Sequence, residues 1–302
     1  MPLTLTSCLS ENTYPICQIL AAYLSDQLPF SVEFVTPEPW QQRADLLAKG
    51  QIHFGWICGL LYTLKKSEAQ RSRGAREQGS REEYKAPPPP PTPYSPHPPT
   101  PLLPYSLLPL VAPAMAWPRY QNRPIYFSDV VVRRDSSFHT FASLRGARFV
   151  YNEPGSFSGY AIVRHHLTTL GEMSGYFGQV IESGAHQQSL KMVLAGQVDA
   201  AAIDSMALDL AAQTQPELRE QLRVVETLGP NPAPPWVISN QVAPPIRRKL
   251  QETLLALDAS TEGRAILKQC HLSRFVAVED RDYDQIRQVT RGGEQVSTLG
   301  RK

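Results

Sequence analysis

The 302-residue chain is poor in charge and in cysteine. Charged residues make up 19% of it and the net charge is +2, so no general electrostatic pull toward nucleic acid or anionic membranes exists. The four cysteines, Cys8, Cys17, Cys58 and Cys270, are scattered with no CxxC pair, which argues against a disulfide scaffold or a zinc ribbon. No apolar run approaches the roughly 18 residues of a membrane span. The start, MPLTLTSCLSENTYP, has neither the charged nor the long apolar region of a signal peptide. As written, the chain is expected to be soluble and cytoplasmic, or periplasmic or extracellular if a leader is missing. P-loop, GxGxxG and HExxH motifs and metal-spaced His/Cys sets are also lacking, so no metal or cofactor is expected. His165 and His166 are adjacent on an expected helix, where neighbours point about 100° apart and cannot chelate together.

Proline, by contrast, is abundant. Residues 87–109 hold 12 of the 28 prolines. The preceding stretch from Leu64 to Lys85 carries seven Lys/Arg against four Asp/Glu, leaving the remainder of the chain near −1. Such a segment buries too little apolar surface to offset its ordering entropy, so residues 65–109 are expected to be a disordered basic, proline-rich insert. The spacing of Pro93, Pro96 and Pro99 suits either a plain linker or a ligand for a polyproline-binding partner. Residues 291–302 read as a disordered tail.

Outside the insert, short apolar strands alternate with amphipathic helices, which predicts an α/β architecture with parallel or mixed sheets. Leu3–Cys8, Ile52–Trp56, Ala147–Tyr151 and Ala200–Asp204 read as strands. Pro15–Leu28, Trp40–Lys49, Gly159–Leu170 and Gln187–Ala195 read as helices. The punctuation GPNPAPP over 229–235 suggests a chain crossing between lobes.

The densest chemical signal is YNEPGSFSGY, residues 151–160, between a strand and a helix. Ser156 and Ser158 lie where the helix begins, and Gly155 and Gly159 let the backbone turn tightly. A helix N-terminus offers unpaired N–H groups to an anion, while plain N-capping explains the same serines. The fragment is not a GxSxG nucleophile elbow, because Phe157 stands where the serine must be. In a second patch, His186 precedes a helix. Asp204 ends a short apolar strand, at the edge where open α/β sheets place ligands, though either residue could equally be a cap. Trp56 similarly ends the strand FGW, as core or as pocket wall.

Taken in order, FGW, YFSDVVVRRDSSFHTFASLRG, NEPGSFSGY, ESGAHQQSLKMV and GQVDAAAIDS resemble the phosphonate/phosphite/phosphate-binding proteins of ABC transporters. The resemblance covers roughly residues 3–62 and 110–290. It implies a two-lobed type 2 periplasmic-binding-protein fold, two mixed or parallel sheets flanked by helices, with hinge crossings near Tyr126–Val132 and Val224–Val237. Lobe one then comprises residues 1–64, 110–132 with the first crossing, and 226–290 with the second crossing and the return; lobe two comprises 133–225. The implied function is non-catalytic binding of a small oxyanion between the lobes, with an ABC permease as a further partner. Ser156 and Ser158 match the loop that grips the phosphonyl oxygens, and Phe157 stands where a further hydroxyl is common. Trp56 matches an aromatic at a lobe-one strand end, and Tyr126 a ligand-binding tyrosine. His186 matches a ligand-contacting histidine, and Asp204 an acidic position that accepts from a protonated ligand oxygen or an amine. The alternative is an enzyme on the same fold, like the fungal enzymes that make the thiamine pyrimidine. Their cysteine- and histidine-rich signatures are not found here.

Overall fold

The structure, a computed structural model, describes residues 2–36, 39–83 and 106–301. β1 (Leu3–Ser7) is buried along nearly all its length, as a strand inside a covered parallel sheet must be. α1 (Tyr14–Gln27) follows with Pro15 in its first turn, where a missing N–H costs nothing, and buries Ile16, Leu20 and Leu24 at helical spacing. β2 (Val32–Phe34), α2 (Trp40–Ala48) and β3 (Phe54–Trp56) repeat the pattern. β1 pairs in parallel with both β2 and β3. α3 (Gly59–Glu83) then leads away, and β4 (Leu107–Met115) returns to the same sheet.

The second sheet begins with β5 (Ile125–Arg133) and β6 (Arg148–Tyr151). α4 (Ile162–Thr169), β7 (Ser174–Phe177), β8 (Gln179–Glu182), α5 (His186–Leu194), β9 (Ala200–Asp204), α6 (Ser205–Thr214) and α7 (Leu218–Gln221) follow. β6 is flanked in parallel by β8 and β9, and Ala200–Ile203 of β9 are all fully buried. β10 (Leu222–Pro232) closes the sheet antiparallel to β5, giving the order β10-β5-β9-β6-β8. β11 (Trp236–Ser239), α8 (Pro244–Leu255), α9 (Thr261–Gln269) and β12 (Leu272–Ala277) rebuild the first sheet in the order β12-β4-β11-β3-β1-β2.

The chain passes between the sheets over residues 116–124 and 233–235, where the expected crossings were Tyr126–Val132 and Val224–Val237. β5 and β10 are long antiparallel partners within the second sheet, so the crossings shrink to their ends. In the first crossing, Arg119 donates to both carboxylate oxygens of fully buried Asp129 at 2.8 Å.

Two expectations of disorder are corrected. Residues 65–83 continue α3, because Lys, Arg, Glu, Gln and Ala are strong helix formers and Lys65 pairs with Asp45 and Glu68. β4 starts before the expected boundary at Pro109, since Leu107 and Leu108 pair with Ser239 and Ile238. The remaining proline-rich stretch, 84–105, and the polyproline partner expected for it lie outside the described residues. The tail is likewise ordered through Arg301. α10 (Asp284–Gly293) packs on α4 and α3, and β13 (Thr298–Gly300) pairs with β7 while Val296 and Leu299 are buried. The C-terminal segment therefore ends on lobe two, not on lobe one.

Candidate ligand-binding site

Both parallel strand sets aim their carboxyl ends at one cavity of about 450 Å³ between the lobes. Lobe one contributes the segment after β1, the start of α2 and Cys58 after β3. Lobe two contributes the segments after β6, β8 and β9.

The lobe-two wall is built by residues 152–161. Ser156 accepts a hydrogen bond from the Gly159 N–H at 3.0 Å and so caps the helical run that follows. That run opens with one π turn over Phe157–Ala161 and continues as α4. Its first N–H groups have no partner within the helix and carry the positive end of its dipole. The Ser158 Oγ lies 3.2 Å from His186 Nε2, and the Ser158 carbonyl accepts from Ser128 Oγ at 2.6 Å. A Cβ at residue 159 would collide with Asn152 Oδ1, so that side chain would have to shift to admit any other residue. That Oδ1 is buried without a hydrogen-bond partner among the described residues.

His186 opens α5 and is 7% exposed; burial lowers its pKa to about 4, so at neutral pH the ring is uncharged and carries one N–H. Asp204 caps α6, accepting from the Met206 and Ala207 N–H groups at 2.8 and 3.3 Å. Desolvation outweighs those two bonds and, with Asp129 and Asp209 adding repulsion, raises its pKa to about 7. Burial, helped by Glu182, raises Glu153 to about 7 as well. The Cys8 thiol in the opposite wall is pushed up to about 12 by burial against the opposing Arg43 charge, so it stays protonated and is no nucleophile. No group of three His, Cys, Asp or Glu side chains among the described residues could hold a metal ion.

Of the seven residues singled out from sequence, Ser156, Ser158, His186 and Asp204 meet at this cavity. Trp56, Tyr126 and Phe157 are buried and do not line it. Trp56 stacks on Trp236 at 5.8 Å, and its indole N–H donates to the carbonyl of Pro234, which does line the cavity. Tyr126 sits one layer back, its hydroxyl kept protonated by burial and opposed by a hydrogen bond with Ser158. Phe157 turns into the core, its ring 6.5 Å from that of Tyr126. Tyr14, Trp40, Arg43, Asn152 and Glu153 line the cavity and were missed. Asn152 and Glu153 stand inside the very stretch that drew attention. Arg43 was findable as a cation on the buried face of α2, beside Ala44 and Leu47.

Two lobes that enclose a cavity at their paired strand ends have the architecture of a two-lobed binding protein. Over residues 4–283 the chain matches, and belongs to, the family described as ABC transporter, phosphonate, periplasmic substrate-binding protein. Its members are binding proteins, which sets aside the enzyme alternative. The fold superposes with a TM-score of 0.75 on a binding protein component of an ABC phosphonate transporter from Pseudomonas aeruginosa, at 17% identity, covering 97% of this chain and 87% of that one. It superposes at 0.73 on PhnD1 from Prochlorococcus marinus in complex with methylphosphonate, at 15% identity over 97% and 98% of the two chains. The phosphonates-binding periplasmic protein of Escherichia coli is 24% identical over 171 residues, 55% of this chain. The match spans only 50% of that curated relative's length. No helix among the described residues is long and apolar enough to cross a membrane.

Proposed function

We propose that the chain captures a phosphorus oxyanion (a phosphonate, phosphite or phosphate) in the cleft, unchanged, and delivers it to a membrane permease. The observation that carries this reading is the convergence of Ser156, Ser158 and uncharged His186 at the start of the Phe157–Thr169 helical run, inside the cavity. Hydroxyls and helix N–H groups donate to an anion without bringing a full counter-charge, and each such charge-assisted bond contributes about 1.5–3 kcal/mol. Asp204 and Glu153 sharpen the choice of anion. Each exchanges a proton near pH 7, so each either donates to a ligand oxygen or accepts from a protonated one. Sulfate, fully ionised at that pH, offers no proton and meets repulsion when the carboxyls ionise.

Capture proceeds by closure about the two crossings. The Asn12 side-chain amide of lobe one donates to the Ala207 carbonyl of lobe two at 2.9 Å, a contact available only when the lobes meet. A ligand bridging the lobes favours that state by its differential affinity. The permease in this reading is met in the periplasm, where the family's description puts its members.

Thermal melting of the full chain with methylphosphonate, 2-aminoethylphosphonate, phosphite, phosphate and sulfate tests the proposal. A ligand at 100 times its dissociation constant stabilises by about 2.7 kcal/mol, a shift of several degrees. The proposal requires such a shift for at least one phosphorus oxyanion and none for sulfate. An equal shift with sulfate, or none with any ligand, removes it.

A further inference from the structure

The cavity is much larger than the anion it is proposed to hold. A phosphorus oxyanion of five heavy atoms displaces roughly two or three waters, on the order of 80 Å³ at about 30 Å³ each. The cavity measures about 450 Å³. The lobes touch at one point beside it, through Asn12 and Ala207. The excess is of the size that larger organic ligands fill.

The wall facing that excess is aromatic. Tyr14 and Trp40 line the lobe-one side, Trp40 following Pro39 at the start of α2. The Tyr14 ring is held by two neighbours, Arg43 and Phe34. Its hydroxyl accepts from the buried Arg43 guanidinium at 2.7 Å, the Arg43 Cζ lies 5.5 Å from its centroid, and Phe34 meets it edge-on at 5.6 Å and 62°. A ring fixed in this way presents a surface with little entropy left to lose on binding. Trp40 is half-buried, with indole surface to cover. Oxyanion capture by lobe two uses neither residue.

We infer that the ligand is a monosubstituted phosphoryl compound, a phosphonate or phosphate monoester, whose substituent is a planar aromatic or heteroaromatic group laid against Trp40 and Tyr14. The inference rests on the oxyanion reading of Ser156 and Ser158 and adds the class of the substituent. Lobe two then selects the phosphoryl end by its donors, and lobe one selects the substituent by stacking.

Calorimetric titration of the full chain with methylphosphonate, phenylphosphonate and phenyl phosphate tests it, on the wild type, Trp40→Ala and Trp40→Phe. Stacking of one ring predicts that a phenyl-bearing ligand binds the wild type about tenfold or more tighter than methylphosphonate. Which of the two phenyl ligands shows the gain distinguishes phosphonate from phosphate ester. Trp40→Ala is expected to abolish the gain while leaving methylphosphonate within about twofold, and Trp40→Phe to restore most of it. Phenyl ligands that bind no tighter than methylphosphonate overturn the inference, as does a Trp40→Ala variant that weakens all three alike. The wild-type comparison decides on its own if the alanine variant does not fold. Failure of the underlying oxyanion reading looks different: no ligand binds, and Ser158→Ala changes nothing, which overturns both.

Discussion

The Oγ of Ser158 lies 3.2 Å from Nε2 of His186, joining the start of the helical run after β6 to the start of α5 across the floor of the cavity. Two helix starts from separate βα units are thereby held in one register. Because burial keeps the imidazole uncharged, the pair can offer donors to an anion without forming a salt bridge of its own.

That burial has a thermodynamic consequence. The His186 pKa is about 4 in the folded chain against an ordinary 6.5. As pH falls, the unfolded chain takes up the proton first. The stabilisation is therefore full above about pH 6.5 and is lost as pH drops toward 4, amounting to about 3 kcal/mol. In urea denaturation, the stability deficit of His186→Gln relative to wild type should narrow by about that amount between pH 7.5 and 4. The comparison cancels the other titrating groups, and a deficit that stays constant contradicts the assignment.

Phe157 stands between the two serines but is fully buried in the core. Phe157→Thr should therefore lower stability by about 3 kcal/mol, the usual penalty for emptying a buried aromatic site. It should add no ligand donor. Chemical denaturation combined with titration reads both effects, and a tighter-binding variant of unchanged stability would show that the residue faces the ligand after all.

Glu153 gains its charge near pH 7, since burial first and Glu182 second resist ionisation. Above that pH a negative charge appears in the cavity wall. At an effective dielectric of about 20 and a separation on the order of 10 Å, it weakens anion binding roughly tenfold. Affinity measured from pH 6 to 8 should fall more steeply for wild type than for Glu153→Gln, since the ligand's own ionisation is common to both. Parallel slopes would remove Glu153 from the site.

The site was legible where chemistry coincides with local punctuation. Ser156 and Ser158 sit in a glycine-flanked strand-to-helix turn, and His186 and Asp204 sit at helix starts beside strand ends. Each position is near the ligand edge of an α/β sheet whatever its neighbours do. Trp56 and Tyr126 lie near the ends of β3 and β5 and Phe157 between the two serines, but sequence does not say which way a side chain in such a place turns, and all three turn inward. Tyr14 and Trp40 escaped notice because their importance comes from two helices converging in space, which no local pattern records, while Arg43 left the one local trace of a cation on a buried helix face. The α/β alternation was visible from apolar periodicity, whereas the paired lobes came from the family resemblance and from the Pro and Gly punctuation over 229–235. The helical course of residues 65–83 was hidden by weighing charge and composition above helix propensity, and the β13 pairing by the brevity of Val296–Leu299.

The central claim is that Ser158 helps hold a phosphorus oxyanion. Titration calorimetry of wild type and Ser158→Ala with methylphosphonate at pH 7 tests it most directly. Loss of one charge-assisted hydrogen bond of about 1.5–3 kcal/mol predicts a dissociation constant raised by roughly tenfold to a hundredfold, with the melting temperature of the unliganded variant lowered by no more than about 4 °C. A dissociation constant unchanged within about twofold would contradict the account.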